Sequence, residues 1–131
     1  MVERIEKTED EWRTVLSPDQ FRILRRGGTE PPFDNAYWDN HADGTYECGG
    51  CDLLLFDSTD KFDSGTGWPS FTQPVEPDVV EERVDSSLGM RRTEILCARC
   101  SGHLGHVFDD GPAPTGKRFC MNSGSLKFTA R

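Results

Sequence analysis

Long apolar runs are missing from this sequence. Hydrophobic residues fill 34% of its 131 positions and the mean hydropathy is −0.64, so no stretch approaches the length needed to cross a bilayer. The length suits one domain, with residues 1–43 expected as helices and a wrap and 44–131 as the main body. A core this modest calls for reinforcement by a metal or a cross-link. Basic charge is also scarce: Lys and Arg number 15 against 23 Asp and Glu, a net charge of −8. Nucleic-acid binding rests on clustered cations, so that class of partner is not expected, nor is an anionic membrane surface. The opening stretch Met1-Val2-Glu3-Arg4-Ile5-Glu6-Lys7 has no apolar centre of the signal-peptide kind. A cytoplasmic setting is expected, and there cysteines serve as metal ligands or catalysts more than as structural disulfides.

What is present falls into two textures. Near the start, Thr8 with Glu11 and Ser17 with Gln20 have capping-box spacing, and Pro18 suits a first helical position. Two short helices are predicted, the second carrying Phe21, Ile23 and Leu24 inward, with Arg25 and Arg26 at its negative end and Gly27-Gly28 as its stop. Residues 29–43 read as an irregular wrap in which His41 is a solvated loop histidine. From Gly44 onward short strands alternate with Gly, Pro, Asp and Ser. Candidates are 45–48, 53–56, 79–84, 90–97, 106–108, 118–121 and 126–129, a mainly β pattern of antiparallel sheets forming a sandwich or small open barrel. The loop 63–71 displays Trp68 on a backbone shaped by glycine and proline.

Four of the five cysteines form two knuckles, Cys48-Gly49-Gly50-Cys51 and Cys97-Ala98-Arg99-Cys100. Each C-x-x-C turn presents two thiolates, and four suffice for a tetrahedral zinc ion. Such an ion would pin together two parts of the chain far apart in sequence. A redox pair of the thioredoxin kind lacks the βαβ surroundings that motif normally has, and two disulfides fit poorly with a reducing compartment. One structural zinc held by Cys48, Cys51, Cys97 and Cys100 is the favoured reading.

Cys120 is left alone. In a strand Arg118, Cys120 and Asn122 share one face, and Phe119 and Met121 the other. An adjacent cation favours the thiolate, the nucleophilic form; a buried inert thiol is the alternative reading. The turn Ser101-Gly102-His103-Leu104-Gly105-His106 supplies two histidines able to move a proton near neutral pH, although local hydrogen bonding would account for either one.

Taken together, C-G-G-C, G-W-P-S-F, C-A-R-C-S-G-H-L-G-H-V-F-D-D-G-P and R-F-C-M-N-S, in that order, closely resemble the methionine-R-sulfoxide reductases of the B type. The resemblance runs from about Ser17 to Phe128. It implies reduction of methionine-R-sulfoxide, mainly within proteins, on a fold of two antiparallel sheets with N-terminal helices and a structural zinc. It implies Cys120 as the nucleophile that becomes a sulfenic acid, and Trp68 as the wall that receives the substrate methyl group. His103, His106 and Asn122 would meet the sulfoxide oxygen, and Arg118 would support the thiolate. Phe119 stands in the substrate site where the family often has tyrosine. Many members carry a resolving cysteine in the tryptophan loop, but here that position is Thr66. Direct reduction by thioredoxin or another thiol is therefore expected, acting on a monomer. The rival reading is a zinc-stabilised module that binds a peptide without chemistry.

Overall fold

The computed structural model describes residues 2–131, Leu88 by its backbone alone. Both capping boxes form. Thr8 and Glu11 close the start of α1 (Glu9–Val15), and Ser17 and Gln20 that of α2 (Pro18–Arg26). Left-handed Gly27, at φ 67°, ends α2, a conformation that costs glycine nothing. Local rules sufficed here because each cap needs only its own neighbours.

The β body holds β1 (Gly44–Cys48), β2 (Leu54–Asp57), β3 (Lys61–Phe62), β4 (Ser70–Phe71), β5 (Val80–Asp85), β6 (Arg92–Cys97), β7 (His103–Phe108), β8 (Arg118–Met121) and β9 (Leu126–Ala130). They make a three-stranded sheet ordered β2-β1-β9 and a six-stranded sheet ordered β3-β4-β8-β7-β6-β5. Every pairing is antiparallel. This is the mainly β architecture expected, with strand ends moved by one to three residues, the largest shift being the start of β7 at His103 instead of His106. Two strands had no forecast. β3 and β4 are two residues each, too short to show an alternation of their own.

The inner faces of the sheets meet through aromatic rings. Phe56 of β2 stacks on Phe71 of β4 at 4.3 Å, and Tyr46 of β1 meets Phe71 edge-on at 5.1 Å. Ile95, Leu104, Phe119 and Met121 extend this core, and Trp12, Phe21 and Leu24 close it from the helices. The opposite face of the large sheet is thereby left for polar side chains. No helix among the described residues is long and apolar enough to cross a membrane.

The wrap 29–43 has a structural task. Glu30 accepts from the backbone N–H groups of Ser123 and Gly124, and its carbonyl accepts from Trp68 Nε1 at 2.9 Å. Phe33 N and Asn35 Nδ2 both donate to Gly67 O, at 2.8 and 2.9 Å. Gly67 sits at φ 89°, and a Cβ there would lie 2.6 Å from Phe33 N. A side chain at this position would separate the wrap from the tryptophan loop.

Candidate active site

β8 lies between β4 and β7, with Cys120 opposite Ser70 on one side and His106 on the other. Alternation turns Phe119 and Met121 into the core, 5% and 1% exposed. Arg118, Cys120 and Asn122 take the outer face, as the pattern required. A cavity of about 270 Å³ opens over that face, and Thr66, Trp68, His106, Arg118, Cys120 and Asn122 help to line it.

A bulge brings the two histidines together. Residues three apart on a regular strand point to opposite faces. Here Ile95 pairs with Gly105 but Leu96 pairs with His103, which leaves Leu104 as an extra residue in β7. The bulge rephases the strand, buries Leu104 completely and sets the two imidazoles edge-on at 5.5 Å. Gly105 then packs directly on β8: a Cβ there would lie 2.0 Å from Cys120 O.

The histidines have different partners. His106 lines the cavity, and its Nε2 lies 2.8 Å from Asp85 Oδ2. Asp85 is held well below the usual carboxylate range, chiefly by the Ser87 N–H and then by His106, and Arg92 lies 3.3 Å from it. With an ionised acceptor on Nε2, neutral His106 keeps its proton there and leaves Nδ1 as the free acceptor. His103 is buried, its Nδ1 2.6 Å from Glu94 Oε2, and Glu94 also holds Arg83 at 2.8 Å. Burial lowers the His103 pKa despite Glu94, which favours the neutral ring.

Opposing influences act on the Cys120 sulfur. Burial pushes the thiol above its ordinary value, while Arg118 and a hydrogen bond from Thr66 pull it down; burial prevails. The sequence left thiolate and inert thiol both open; burial outweighs the neighbouring cation and favours the neutral form. Arg118 is fixed by paired hydrogen bonds to Asp110, at 2.9 and 3.1 Å, and its guanidinium lies over Phe108 at 4.4 Å. Asn122 is buried, with Nδ2 donating to Leu104 O at 3.3 Å.

The structure thus brings Cys120, Trp68, His106, Arg118 and Asn122 around one cavity. Two residues of the same sequence reading do not line it. Phe119 faces the core because β8 alternates, and His103 sits behind His106 against Glu94. Asp85, Arg92 and Glu94 escaped notice, because only cross-strand pairing of β5, β6 and β7 carries them to the histidines. The D-S-S run after Asp85 was the sole local signal, as a turn whose N–H groups an aspartate accepts. His41 lies at the surface with Nε2 2.9 Å from Asp63 Oδ1, in line with a solvated loop histidine.

The four knuckle cysteines converge. Cys48 ends β1 and Cys97 ends β6, so the cluster joins the two sheets at their margins. All four Sγ atoms lie within 4.8 Å of one another, with Cys48–Cys100 at 3.7 Å and Cys51–Cys97 at 3.5 Å. A disulfide would require about 2.05 Å, whereas four thiolates about 2.3 Å from a tetrahedral ion stand about 3.8 Å apart. The donor set fits a metal ion and excludes the two-disulfide arrangement. The glycines of the first knuckle are not its left-handed residues; Asp52 and Ser101, one after each pair, hold that conformation at φ 65° and 62°.

With this geometry in hand, likeness to known proteins is informative. The family model described as the SelR domain matches residues 16–130. The peptide methionine sulfoxide reductase MsrB of Thiobacillus denitrificans is 58% identical over 122 residues, covering 93% of this chain and 92% of its own. Its counterpart from Pseudomonas putida is 56% identical over 130 residues, covering 99% of both. That of Leptospira interrogans is 56% identical over 124 residues, covering 95% of both. On this likeness, carried across nearly its whole length, the chain belongs to the peptide methionine sulfoxide reductase B family of oxidoreductases.

Proposed function

We propose that the protein reduces methionine-R-sulfoxide, mainly as it occurs in oxidised proteins, to methionine, with Cys120 as the nucleophile. One observation carries this reading: a half-buried thiol, a carboxylate-backed imidazole and an indole share one cavity. The Cys120 sulfur attacks the sulfoxide sulfur. His106, opposite it across β7 and β8, takes the thiol proton on Nδ1 and passes it to the sulfoxide oxygen, a poor leaving group until protonated. Attack forms an S–S bond as the protonated oxygen leaves the sulfoxide sulfur as hydroxide. Hydroxide then adds to the Cys120 sulfur, the S–S bond breaks, and a sulfenic acid remains as the thioether departs. A thiol and a sulfoxide have become a sulfenic acid and a thioether, and the balance is complete. Arg118 stabilises the charge that grows on sulfur. Trp68 receives the methyl group through dispersion and sulfur–aromatic contact. Asn122 meets the oxygen, and His103 supports His106 from behind.

Epimer preference follows from the two ends of the cavity. Exchanging methyl and oxygen buries an unpaired polar group against the indole, which costs about 1–3 kcal/mol, or roughly ten- to a hundredfold in rate. With threonine at position 66, the sulfenic acid is returned to the thiol by two external thiol equivalents, releasing a disulfide and water. Thioredoxin is the reductant proposed, acting on a monomer in the cytoplasm.

Zinc is the metal proposed for Cys48, Cys51, Cys97 and Cys100, where it would supply cross-linking and charge neutralisation. None of these cysteines lines the cavity. The test is turnover of R- and S-methionine sulfoxide with dithiothreitol, in the unmodified protein and in Cys120→Ser. Reduction of the R epimer, abolished in a folded Cys120→Ser, supports the assignment; equal turnover in both proteins overturns it.

A further inference from the structure

The loop before β4 and the first residue of that strand carry three hydroxyls that the chemistry above leaves unused. Ser70 Oγ donates to Ser64 Oγ at 2.8 Å, the shorter of its two contacts, with Trp68 O at 3.1 Å, and Thr66 N–H donates to the Ser64 oxygen at 3.3 Å. Both acceptor positions of Ser64 are then filled. Its own hydrogen is left for Thr66 Oγ1, 2.8 Å away. With Thr66 Oγ1 accepting from Ser64, the threonine hydrogen is left for the cavity that Thr66 and Cys120 both line, and the Thr66 hydroxyl is among the groups that lower the Cys120 pKa. Ser70 is fully buried, so the chain is anchored in the protein, and each bond polarises the next.

We infer that Thr66 is a positioning residue for Cys120, the last donor of a directed hydroxyl chain Ser70→Ser64→Thr66 that holds the sulfur's charge during attack. Hydrogen bonds to charged acceptors are about twice as strong as neutral ones, so the bond strengthens as the thiolate forms. The reacting sulfur is held between two donors of different kinds. Arg118, with Asp110 behind it, approaches from its own strand, and a neutral hydroxyl approaches from the loop before β4. From β7 comes His106, with Asp85 and Arg92 behind it. Glu30, from the wrap, is engaged by Ser123 and Gly124. Thr66 is the neutral donor to the sulfur, so removing it changes reactivity without altering the charge of the site.

The test compares Thr66→Val, which keeps the shape and removes the donor, with Thr66→Ser, which keeps the donor. On the metal-loaded full chain, the rate of Cys120 alkylation by iodoacetamide is followed against pH by peptide mapping. Thr66→Val should move the profile upward by about one pH unit, making alkylation about tenfold slower at pH 7, and Thr66→Ser should overlay the unmodified protein. A Thr66→Val profile superimposed on the unmodified one overturns the inference, as does a Thr66→Ser profile that follows Thr66→Val. The kinetic arm rests on the reductase reading: single-turnover reduction of methionine-R-sulfoxide should fall by the same factor in Thr66→Val. Alkylation involves no sulfoxide. An unmodified protein that alkylates as expected but never reduces sulfoxide would count against the reductase reading and leave the hydroxyl chain standing.

Discussion

Replacing Cys48 by serine removes one of four sulfurs where the two sheets meet. The ligands come from residues 48–51 and 97–100, so a metal held there closes a loop of roughly fifty residues, which lowers the entropy of the unfolded chain by about 4 kcal/mol equivalent. Stability for a domain is typically about 5–15 kcal/mol in total, so the clasp is a large share. At this chain length about 1 kcal/mol shifts the melting temperature by about 3–4 °C, which puts the expected fall at roughly 10–15 °C. The measurement is thermal unfolding by circular dichroism alongside metal analysis of the same samples. Zinc should be present at one ion per unmodified chain and lost from Cys48→Ser. Chelation of the unmodified protein should reproduce most of the fall, which separates the metal's share from the penalty of a serine hydroxyl at a fully buried position. Activity measured well below the melting point should persist, because none of the four sulfurs lines the cavity over Cys120. A metal-free Cys48→Ser that melts within about 3 °C of the unmodified protein would refute the clasp.

The remaining expectations concern the cavity. His106→Asn should lower kcat by about 10²–10⁴ while Cys120 still alkylates; a loss below fivefold would remove it as the proton carrier. Trp68→Ala should raise KM for methionine-R-sulfoxide roughly tenfold and narrow the gap between epimers, and unchanged kinetics would contradict a methyl pocket at the indole. Burial lifts the Cys120 thiol above its ordinary value, so the neutral form dominates at pH 7 and the thiolate grows as pH rises. Alkylation should keep accelerating past the ordinary thiol range near about pH 8.5, and a plateau below about pH 8 would show the opposite sign. Thr66→Cys should place a second thiol within reach of Cys120, and one turnover without reductant should yield a disulfide between them, visible by non-reducing peptide mapping.

Sequence alone determined whatever depends on near neighbours or on a strict period. Thr8 with Glu11 and Ser17 with Gln20 cap helices because each box closes within one turn. The C-x-x-C pairs offered a metal site because the knuckle brings two sulfurs together by itself, and the period of two put Cys120 beside Arg118 and Asn122 and opposite Phe119. Tertiary structure decided the rest. Asp85 reaches His106 only because β5, β6 and β7 pair in one register, and the bulge at Leu104 turns two histidines to one face that a regular strand would separate. Glu30 holds Trp68 from a wrap that carried no local signal. The charge state of Cys120 could not be read from the adjacent arginine, because a neighbour in sequence supplies attraction but says nothing of desolvation. That quantity depends on everything packed around the sulfur, and it exists only once the sheets have closed over it.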